Sequence, residues 1–531
     1  MAATTAHPSS DRASSAQASS AGQGAANTSS HPVDQDVLIV GAGISGIGMA
    51  VHLQLNCPQL RFGMVERRAN LGGTWDLFRY PGIRSDSDMH TLGFVFEPWR
   101  HEKSIADAPA ILEYLNRIVD ERGIRDTIRF SQKVVGADWD SDTARWTVTM
   151  QDDAGNTSTT TTRWLYLGSG YYDYDEPFEA EFTGRENFQG QILHPQFWPE
   201  NLDYRGKKVV VIGSGATAVT IVPSMAREAG HVTMLQRTPT WMFTRPAKDG
   251  FANFLRSVLP EKLAYKITRY KNVTLQDAGF RRAREKPEKF KEFLTKKIKK
   301  ALGDRYDEQA FTPPYNPWEQ RLCLVPDSDL FNAIKDNRAA VVTDHIDHFD
   351  PTGIQLKSGK HLDADIIVTA TGLKLAVAGK IPVRVDGQLI HWNEHFYYRA
   401  CMFSNVPNFS TVFGYLNASW TLRADIVSEY VCRVLNHMTA TGKDIATPVL
   451  ANPNSLVEDN IFDFSSGYIQ RAMHIMPKSA VDNPWRLSQD YVRDRIDMRQ
   501  APVDDGLLCF ENAPGTKAKN ALGINQLQAA E

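Results

Sequence analysis

The chain has 531 residues, of which 42% are hydrophobic and 23% charged, and its formal net charge is −3. These values are typical of a soluble globular protein with two or three domains. The near-balanced charge excludes a general affinity for nucleic acid. The sequence contains no run of about 18 apolar residues, so no integral membrane segment is predicted. The five cysteines are scattered, which argues against a disulfide framework and a metal site and favours a reducing compartment, the cytoplasm.

Two polar segments form the ends of the chain. Residues 1–34 are dominated by Ala, Ser, Thr, Gln and Gly and lack the apolar stretch of a secretory signal, so they predict a disordered tail. Residues 514–531 are also polar and predict a loose C-terminal tail. The folded part of the protein is therefore expected between residues 35 and 513.

Two segments share one design, in which an apolar, β-branched run is followed by a glycine-rich turn and a helical pattern. The first has its run at residues 36–40 and its turn at Gly41, Gly43 and Gly46, and the second has its run at residues 208–212 and its turn at Gly213, Gly215 and Ala218. Strand, turn and helix in this order are typical of a dinucleotide-binding βαβ unit. The glycines allow backbone N–H groups and the helix N-terminus to approach a pyrophosphate. Two such motifs predict two nucleotide sites.

The residue at the end of the second strand of each unit distinguishes the two sites. Glu66 lies twenty residues after Gly46, and a carboxylate at this position accepts hydrogen bonds from ribose hydroxyls, which suits FAD. Arg237 lies nineteen residues after Ala218, and its guanidinium can pair with a 2′-phosphate, helped by the hydroxyl of Thr238. The first site is therefore predicted to bind FAD and the second NADPH.

The stretch of residues 245–300 is predicted to be helical and basic, with 17 Lys or Arg against 6 Asp or Glu. Its apolar residues recur at helical spacing, at Phe251, Phe254, Leu255, Val258 and Leu259. The favoured interpretation is a helical insertion with a solvated basic side, and contact with a membrane surface or an acidic partner is the alternative. Strand-like runs return at residues 365–372 and 409–414, and a helix is predicted from about Ser419 to Met438.

These elements predict an α/β fold with two Rossmann-like dinucleotide-binding domains, one inserted in the other. The FAD-binding domain is predicted at residues 35–172 and 376–513. The NADPH-binding domain is predicted at residues 173–375, with the helical insertion at about 246–310. Splitting one domain around the other is an economical way to place two cofactors face to face.

Two long motifs lie between the two glycine-rich turns in the sequence. Residues 72–86 contain Gly-Gly-Thr-Trp, then Tyr-Pro-Gly and an aspartate four positions on, and residues 188–199 match Phe-x-Gly-x-x-x-His-x-x-x-Trp-Pro. Both motifs resemble the fingerprints of type I Baeyer–Villiger monooxygenases. With both glycine-rich turns, the resemblance covers roughly residues 36–490. Two further stretches, residues 409–430 and 464–471, resemble the ethionamide-activating branch of that family.

The resemblance implies an enzyme in which NADPH reduces FAD, O2 forms a C4a-peroxyflavin, and one oxygen atom enters a ketone to give an ester or lactone. Thioethers or thioamides are implied as side substrates. It also implies that Arg321 holds the peroxide and the adduct oxygen, and that Asp86 orients this arginine. Together with the two turns, it predicts cofactor contacts at Gly41, Gly43, Gly46, Glu66, Gly73, Thr74, Trp75, Asp86, Gly213, Gly215, Ala218, Arg237, Thr238, Gln320 and Asn417.

Three positions need separate comment. Gln320 departs from the family pattern, which has a lysine there that also binds the 2′-phosphate, so the preference for NADPH rests more heavily on Arg237 and Thr238. The helix that follows Asn417 is predicted to point its N-terminus at the flavin, with an ordinary N-cap as the alternative. His194 is predicted to couple the two domains, or to hold local structure, rather than to transfer protons.

Three other functions remain open from the sequence. A flavin monooxygenase that mainly oxidises sulfur or nitrogen would share both cofactors. An NADPH-dependent disulfide reductase would need a closely spaced pair of cysteines beside the flavin, which the sequence lacks. A non-catalytic nucleotide sensor would not need Arg321 and Asp86. The protein is expected to act as a monomer or small homo-oligomer on a ketone or thioether.

Overall fold

A computed structural model describes residues 33–462 and 464–514. The tails predicted at residues 1–34 and 514–531 therefore lie almost entirely outside the described residues. The described chain has an α/β fold built on two large sheets with helices packed against them, which confirms the predicted fold class. No helix in the described ranges combines the length and hydropathy that crossing a bilayer requires.

The larger sheet carries the first glycine-rich turn. In the described part of the chain it has nine strands, in the order Gln388–Leu389, Val383–Val385, Gln132–Asp140, Arg145–Asp152, Thr157–Leu167, Gln35–Val40, Phe62–Val65 and Ile128–Arg129, with Phe409–Thr411 beside Thr157–Leu167. Gln35–Val40 pairs in parallel with both of its neighbours. Its four last residues are buried. A parallel strand covered on both faces explains the unbroken apolar run in the sequence.

The smaller sheet carries the second turn. Its five strands are all parallel and lie in the order Ala339–Thr343, His231–Gln236, Lys208–Ile212, Ile366–Thr369 and Gln191–Leu193. Lys208–Ile212 is the central strand, and the helix that follows its turn is Ala216–Met225. Each sheet therefore has the strand, turn and helix predicted for a dinucleotide-binding unit.

Short strands and helices complete the fold. The small sheets pair Met242–Arg245 with Cys323–Pro326, Tyr397–Tyr398 with Met402–Phe403, Ile445–Pro448 with Leu508–Glu511, Glu458–Asp459 with Ser479–Ala480, and join Ile346–Asp350, Gly353–Leu356 and His361–Asp363. The α-helices outside the insertion are Ile44–Asn56, Thr74–Leu77, Met89–Leu92, Ala108–Glu121, Ala216–Met225, Glu308–Phe311, Asp329–Lys335, Trp420–Thr441, Gly467–Gln470 and Tyr491–Gln500.

The chain crosses between the two large sheets twice, and the two crossings lie side by side. Tyr172 and Leu375 form an antiparallel bridge, and the Asp173 N–H donates to the Lys374 carbonyl at 2.9 Å. The buried carboxylate of Asp173 also forms an ion pair with Lys380 at 2.9 Å. The two nucleotide-binding units are therefore joined by a short hydrogen-bonded ladder rather than by independent linkers.

The predicted helical insertion consists of three helices, Gly250–Val258, Glu261–Glu285 and Pro287–Leu302. The middle helix is fastened to the larger unit by the buried guanidinium of Arg269. It donates to the carbonyls of His90 and Gly93 and forms an ion pair with Asp425 at 3.1 Å. Asp425 lies on the long helix Trp420–Thr441. The middle helix of the insertion therefore packs on the larger unit, whereas Ile298 and Leu302 of the third helix belong to the hydrophobic core of the smaller unit.

Candidate active site

A cavity of about 1070 Å³ lies where the strands of both sheets end. Its wall includes residues that directly follow five strands: Gly41, Glu66, Gly168, Gly213 and Arg237. In open parallel sheets, ligands bind outside the carboxyl ends of the strands. Both glycine-rich turns therefore open on one shared space.

The first turn is built by close contact between backbones. A Cβ on Gly46 would lie 1.9 Å from the Gly41 carbonyl oxygen, so only glycine allows the helix to begin this near the strand. A Cβ on Gly73 would lie 3.2 Å from the Gly43 Cα, so these two backbones face each other at the cavity wall. The helix Ile44–Asn56 has no side-chain N-cap and no acidic residue in its first turn. Its first N–H groups remain available for a phosphate.

Glu66 closes the same side of the cavity. Its carboxylate is buried and accepts hydrogen bonds from the N–H groups of Ala42 at 2.7 Å and Arg68 at 2.9 Å. Burial raises the pKa of the Glu66 carboxyl above its ordinary value, although the two N–H groups act in the opposite direction. The acid predicted to contact a ribose thus also holds the shape of the glycine-rich turn.

The second turn leaves a free cation at the cavity wall. The helix Ala216–Met225 begins after Gly215 with neither a side-chain cap nor an acidic first turn. Arg237 and Thr238 both line the cavity. Arg237 is exposed and forms no ion pair within the described residues. The Ser214 hydroxyl donates to the Thr238 carbonyl at 2.9 Å, which fixes the turn beside this arginine.

The first fingerprint motif runs along the cavity between the two units. Gly73, Thr74 and Trp75 are in the wall, and the Thr74 hydroxyl lies 3.3 Å from the hydroxyl of Tyr174. Further along, Gly82 packs directly on the helix Ala216–Met225 of the smaller unit. The motif therefore contacts both units.

Arg321 and Asp86 lie in the wall of the same cavity, although they are far apart in the chain. Burial lowers the pKa of Arg321, but the negative charge of Asp86 acts against it, and the pKa stands above its ordinary value. No direct ion pair joins the two side chains in the part of the chain that the structure describes. The loop before Arg321 is held by Ser465, whose N–H donates to the Glu319 carbonyl at 2.8 Å.

Three tyrosines surround Arg321 that sequence reasoning did not select. The hydroxyls of Tyr171 and Tyr172 lie 2.5 Å apart, and Tyr171 stacks on Trp420 at 5.0 Å between ring centroids. Tyr468 also lines the cavity, and burial raises the pKa of all three hydroxyls. Tyr468 was signalled by the branch-specific stretch of residues 464–471, but no property of that stretch indicated which side chain faces Arg321.

Some predicted residues lie outside the cavity wall. Gly46 and the buried Ala218 pack the two helices on their strands. Asn417 is buried and donates to the Gln489 carbonyl at 2.9 Å, and the wall instead contains Ala418 and Trp420 at the start of the long helix. The predicted Gln320 does line the cavity.

His194 is part of local structure near the crossings. Its Nδ1 accepts a hydrogen bond from the Gln196 N–H at 3.1 Å, and the Gln196 side chain donates to the Asp173 carbonyl at 2.8 Å. Burial lowers the pKa of His194, which favours the neutral ring. The histidine is not among the residues that line the cavity.

Residues 102–376 of the chain match the family described as flavin-binding monooxygenase-like, and residues 39–102 match a NAD(P)-binding Rossmann-like domain. The chain is 49% identical over 482 residues to the FAD-containing monooxygenase EthA of Mycobacterium tuberculosis, covering 90% of this chain and 98% of that protein. It is 47% identical over 483 residues to the "Probable FAD-binding monooxygenase AlmA" of Acinetobacter baylyi, covering 91% of this chain and 97% of that protein.

Solved structures share the fold at lower identity. An oxidized steroid monooxygenase bound to NADP matches with a TM-score of 0.72 and 22% identity, covering 90% of this chain and 99% of the other. A cyclohexanone monooxygenase with epsilon-caprolactone bound, in its loose conformation, matches with a TM-score of 0.71 and 20% identity, over the same shares of the two chains. These similarities show that the chain shares the fold of these two structures.

Proposed function

Because the chain belongs to the flavin-binding monooxygenase-like family, we propose that it inserts one oxygen atom of O2 into a ketone, with FAD and NADPH as its cofactors. The reaction converts ketone, O2, NADPH and a proton into an ester or lactone, water and NADP+. One observation carries the proposal: Arg321 and Asp86 line the same cavity as both glycine-rich turns. We also propose a cytoplasmic location, which the five free cysteines support because they suit a reducing compartment.

FAD is assigned to the first unit. The close backbones of Gly43 and Gly73, with the uncapped N-terminus of the helix Ile44–Asn56, fit a pyrophosphate that must approach main-chain N–H groups. Glu66 at the neighbouring strand end fits a ribose hydroxyl. The relatives at 47% and 49% identity are named for FAD, which supports this assignment.

NADPH is assigned to the second unit. Arg237 is a cation without an ion-pair partner in the described chain, at the strand end where a 2′-phosphate would lie. Thr238 adds a hydroxyl beside it, and Gln320 lies in the same wall without a charge of its own. A steroid monooxygenase of the same fold is described as bound to NADP, which supports a second nucleotide in this cavity.

Arg321 is assigned the central role in oxygen insertion. When bound, reduced FAD activates O2 for transfer to the substrate. The guanidinium of Arg321 carries a permanent charge, and its donors can stabilise the negative charge that develops on oxygen during insertion. The negative charge of Asp86 acts on the guanidinium through space and balances part of its charge. Since no direct ion pair occupies the arginine in the described structure, its donors remain free for the reacting atoms.

The tyrosine cluster around Arg321 is assigned the exclusion of water. Tyr171, Tyr172 and Tyr468 are held neutral by burial, so they surround the charge without adding another one. Their rings reduce solvent access to the guanidinium, which strengthens its interaction with a developing oxyanion. Tyr468 and whichever of Tyr171 and Tyr172 accepts their mutual hydrogen bond keep an O–H that can donate to a carbonyl oxygen.

Ketones are proposed as the main substrate class, with thioethers as side substrates. The structural neighbour named for cyclohexanone holds epsilon-caprolactone, a lactone, and therefore belongs to a ketone-to-lactone chemistry on this fold. The same cavity architecture, with a fixed cation beside the place of oxygen transfer, is what such a rearrangement needs. The names of the relatives of higher identity state FAD and a monooxygenase but no substrate.

The test is product formation by the purified holoenzyme. Linear, cyclic and aromatic ketones are each supplied with NADPH and O2, and esters or lactones are sought by gas chromatography, with a thioether in parallel. Ester formation from at least one ketone is the expected result. Sulfoxide from the thioether without ester from any ketone would overturn the proposal, and NADPH consumption alone counts for neither outcome.

A variant pair ties the product to the proposed residue. Arg321→Ala is expected to lower the rate of ester formation by about 10²–10³, the usual loss for a removed oxyanion donor. Arg227→Ala, which changes an exposed arginine outside the cavity, serves as the matched control and is expected to leave the rate unchanged. Equal rates for the two variants would remove Arg321 from the mechanism.

A further inference from the structure

Two consecutive helices of the insertion expose several large apolar side chains to the solvent. We name this surface the hairpin patch; it consists of Phe251, Phe254, Val258, Leu263, Ile267 and Tyr270. The first three lie on the helix Gly250–Val258 and the others on the helix Glu261–Glu285. Each of the six is between 37% and 70% exposed. Ala252, Ala264 and Tyr265 of the same helices are buried, so the helices carry apolar side chains on their solvent side in addition to those that face the core.

Polar side chains on the opposite face hold the first helix in this orientation. Arg256 donates to the carbonyls of Arg100 and His101, and the Asn253 amide donates to the Glu102 carbonyl at 3.1 Å. The helix is therefore docked through hydrogen bonds to main-chain oxygens, and its apolar face is left outside by specific contacts rather than by loose packing.

The second helix is docked in the same way. Its buried residues include Arg269 and Asn272, and the Asn272 amide donates to the Asp88 carboxylate at 2.9 Å. Lys271 places its ammonium 4.4 Å from the centroid of the Phe251 ring, which joins the end of one stripe to the other. The six exposed side chains therefore lie on two helices that pack against each other. Contiguous exposed apolar patches of this kind mark interaction sites.

Free positive charge accompanies the patch. Lys262 and Lys266 are exposed on the second helix, next to the patch residues, and form no ion pair in the part of the chain that the structure describes. The nearby acids are neutralised, since Glu261 pairs with Arg100 at 2.8 Å and Glu102 with Lys248 at 2.6 Å. Residues 245–300 hold 17 basic and 6 acidic side chains, whereas the whole chain has a net charge of −3. The basic character is therefore local.

We propose that the hairpin patch binds the surface of a lipid bilayer that contains anionic headgroups. In this arrangement the phenylalanines and aliphatic side chains enter the boundary between headgroups and acyl chains, while Lys262 and Lys266 contact phosphates. The positive charge of Lys262 and Lys266 favours a lipid surface over a second copy of the chain as the binding partner. A symmetric contact of two such patches would bring the unpaired lysines of both copies together, which is unfavourable.

The experiment is co-sedimentation of the FAD-loaded full chain with lipid vesicles. Vesicles of phosphatidylcholine alone are compared with vesicles of phosphatidylcholine and phosphatidylglycerol, each at low and high salt. The expected result is binding to the anionic vesicles that weakens with salt. Phe254→Ser/Val258→Ser is expected to lower the partition coefficient about tenfold, and Lys262→Gln/Lys266→Gln about fivefold per lysine.

The matched control is Leu55→Ser/Val457→Ser, which removes two exposed apolar side chains outside the patch and is expected to bind vesicles as the unchanged chain does. None of the variants touches the cavity wall, so ester formation and flavin content report that each is folded. A chain that does not bind anionic vesicles, or patch variants that bind as well as the control, would overturn the proposal. Concentration-dependent self-association that the patch variants abolish, without vesicle binding, would assign the patch to a second copy instead.

Discussion

Gly82 and Ser224 belong to different nucleotide-binding units and touch so closely that a Cβ on Gly82 would lie 1.9 Å from the Ser224 hydroxyl oxygen. Gly82 also has a φ of +79°, in the left-handed region that glycine alone adopts without cost. Ser224 lies on the helix Ala216–Met225, which begins at the second glycine-rich turn. The glycine of the first fingerprint motif is therefore a packing requirement between the two units.

Replacing this glycine is expected to loosen the contact between the units. Gly82→Ala adds the cost of a left-handed backbone, about 1–2 kcal/mol, and an overlap with Ser224 that forces the helix or the loop to move, about 1–3 kcal/mol more. Gly155→Ala is the matched control, because Gly155 has a φ of +87° and no atom within 4 Å of an added Cβ. Thermal unfolding should show a clearly lower midpoint for Gly82→Ala, and equal midpoints would contradict the contact.

Arg237 is expected to set the preference for NADPH over NADH. Its exposed guanidinium has no ion-pair partner in the described chain, so its removal leaves no buried charge behind. Loss of a charge-assisted contact to the 2′-phosphate should raise the KM for NADPH about 10–100-fold and leave the KM for NADH nearly unchanged. Steady-state kinetics of Arg237→Ala with both cofactors measure this, and equal losses would assign the 2′-phosphate to another residue.

Arg321 and Asp86 are expected to act as one unit. Asp86→Asn should lower the rate of ester formation about tenfold, because the guanidinium loses the nearby negative charge that acts on it. Adding the same change to Arg321→Ala should lower the rate no further. Asp347→Asn alters another carboxylate of the cavity wall and provides the control. Its effect should add to that of Arg321→Ala. Additive losses for Arg321 and Asp86 would show that the two act separately.

The pKa of Glu66 predicts how the stability of the cofactor-free protein depends on pH. Burial raises this pKa above the usual value of 4.5, so the folded protein holds the proton more tightly than the unfolded chain. The resulting stabilisation is fully present below the unfolded pKa and is lost as the pH rises through the folded pKa, with a slope of at most about 1.4 kcal/mol per pH unit.

Glu66→Gln removes this titration while preserving the shape of the side chain. The two proteins are unfolded with urea at pH values from about 4.5 upward, the usual pKa of a glutamate. As the pH rises, the free energy of unfolding of the unchanged protein should fall relative to that of the variant. Glu200→Gln, at an exposed position, should show no such trend. A difference that shifts toward the unchanged protein would mean that the hydrogen bonds from Ala42 and Arg68 outweigh burial.

Local pattern was sufficient to predict the two units and their turns. The runs before Gly41 and Gly213 are apolar because their strands are buried and pair in parallel with both neighbours. A Cβ on Gly41, Gly46 or Gly213 would strike a backbone carbonyl. That Arg321 and Asp86 line one cavity was expected only from the resemblance, because no periodicity relates residues so far apart. Tyr171, Tyr172 and Tyr468 were missed for the same reason, since tyrosine in a cavity wall and tyrosine in a core look alike in sequence.

The helical insertion shows a different limit of pattern. Phe251, Phe254 and Val258 recur at helical spacing, which correctly predicted an amphipathic helix. Spacing defines which side chains share a face but not what that face meets. Here the orientation of the helix depends on Arg256 and Asn253, whose side chains donate hydrogen bonds to carbonyls far away in the chain and leave Phe251, Phe254 and Val258 exposed. Such contacts can be found only in three dimensions.

One strand of the larger sheet comes from a part of the chain far beyond its neighbour in the sheet. Thr411, in the strand Phe409–Thr411, bonds to Leu167 at a separation of 244 residues, and the whole smaller sheet lies in the chain between these two positions. Because a ribosome releases the N-terminus first, the inner unit emerges while the outer one is still incomplete. We therefore expect the smaller unit to fold before the larger sheet is complete. The larger unit should bind its cofactor only in the last part of synthesis.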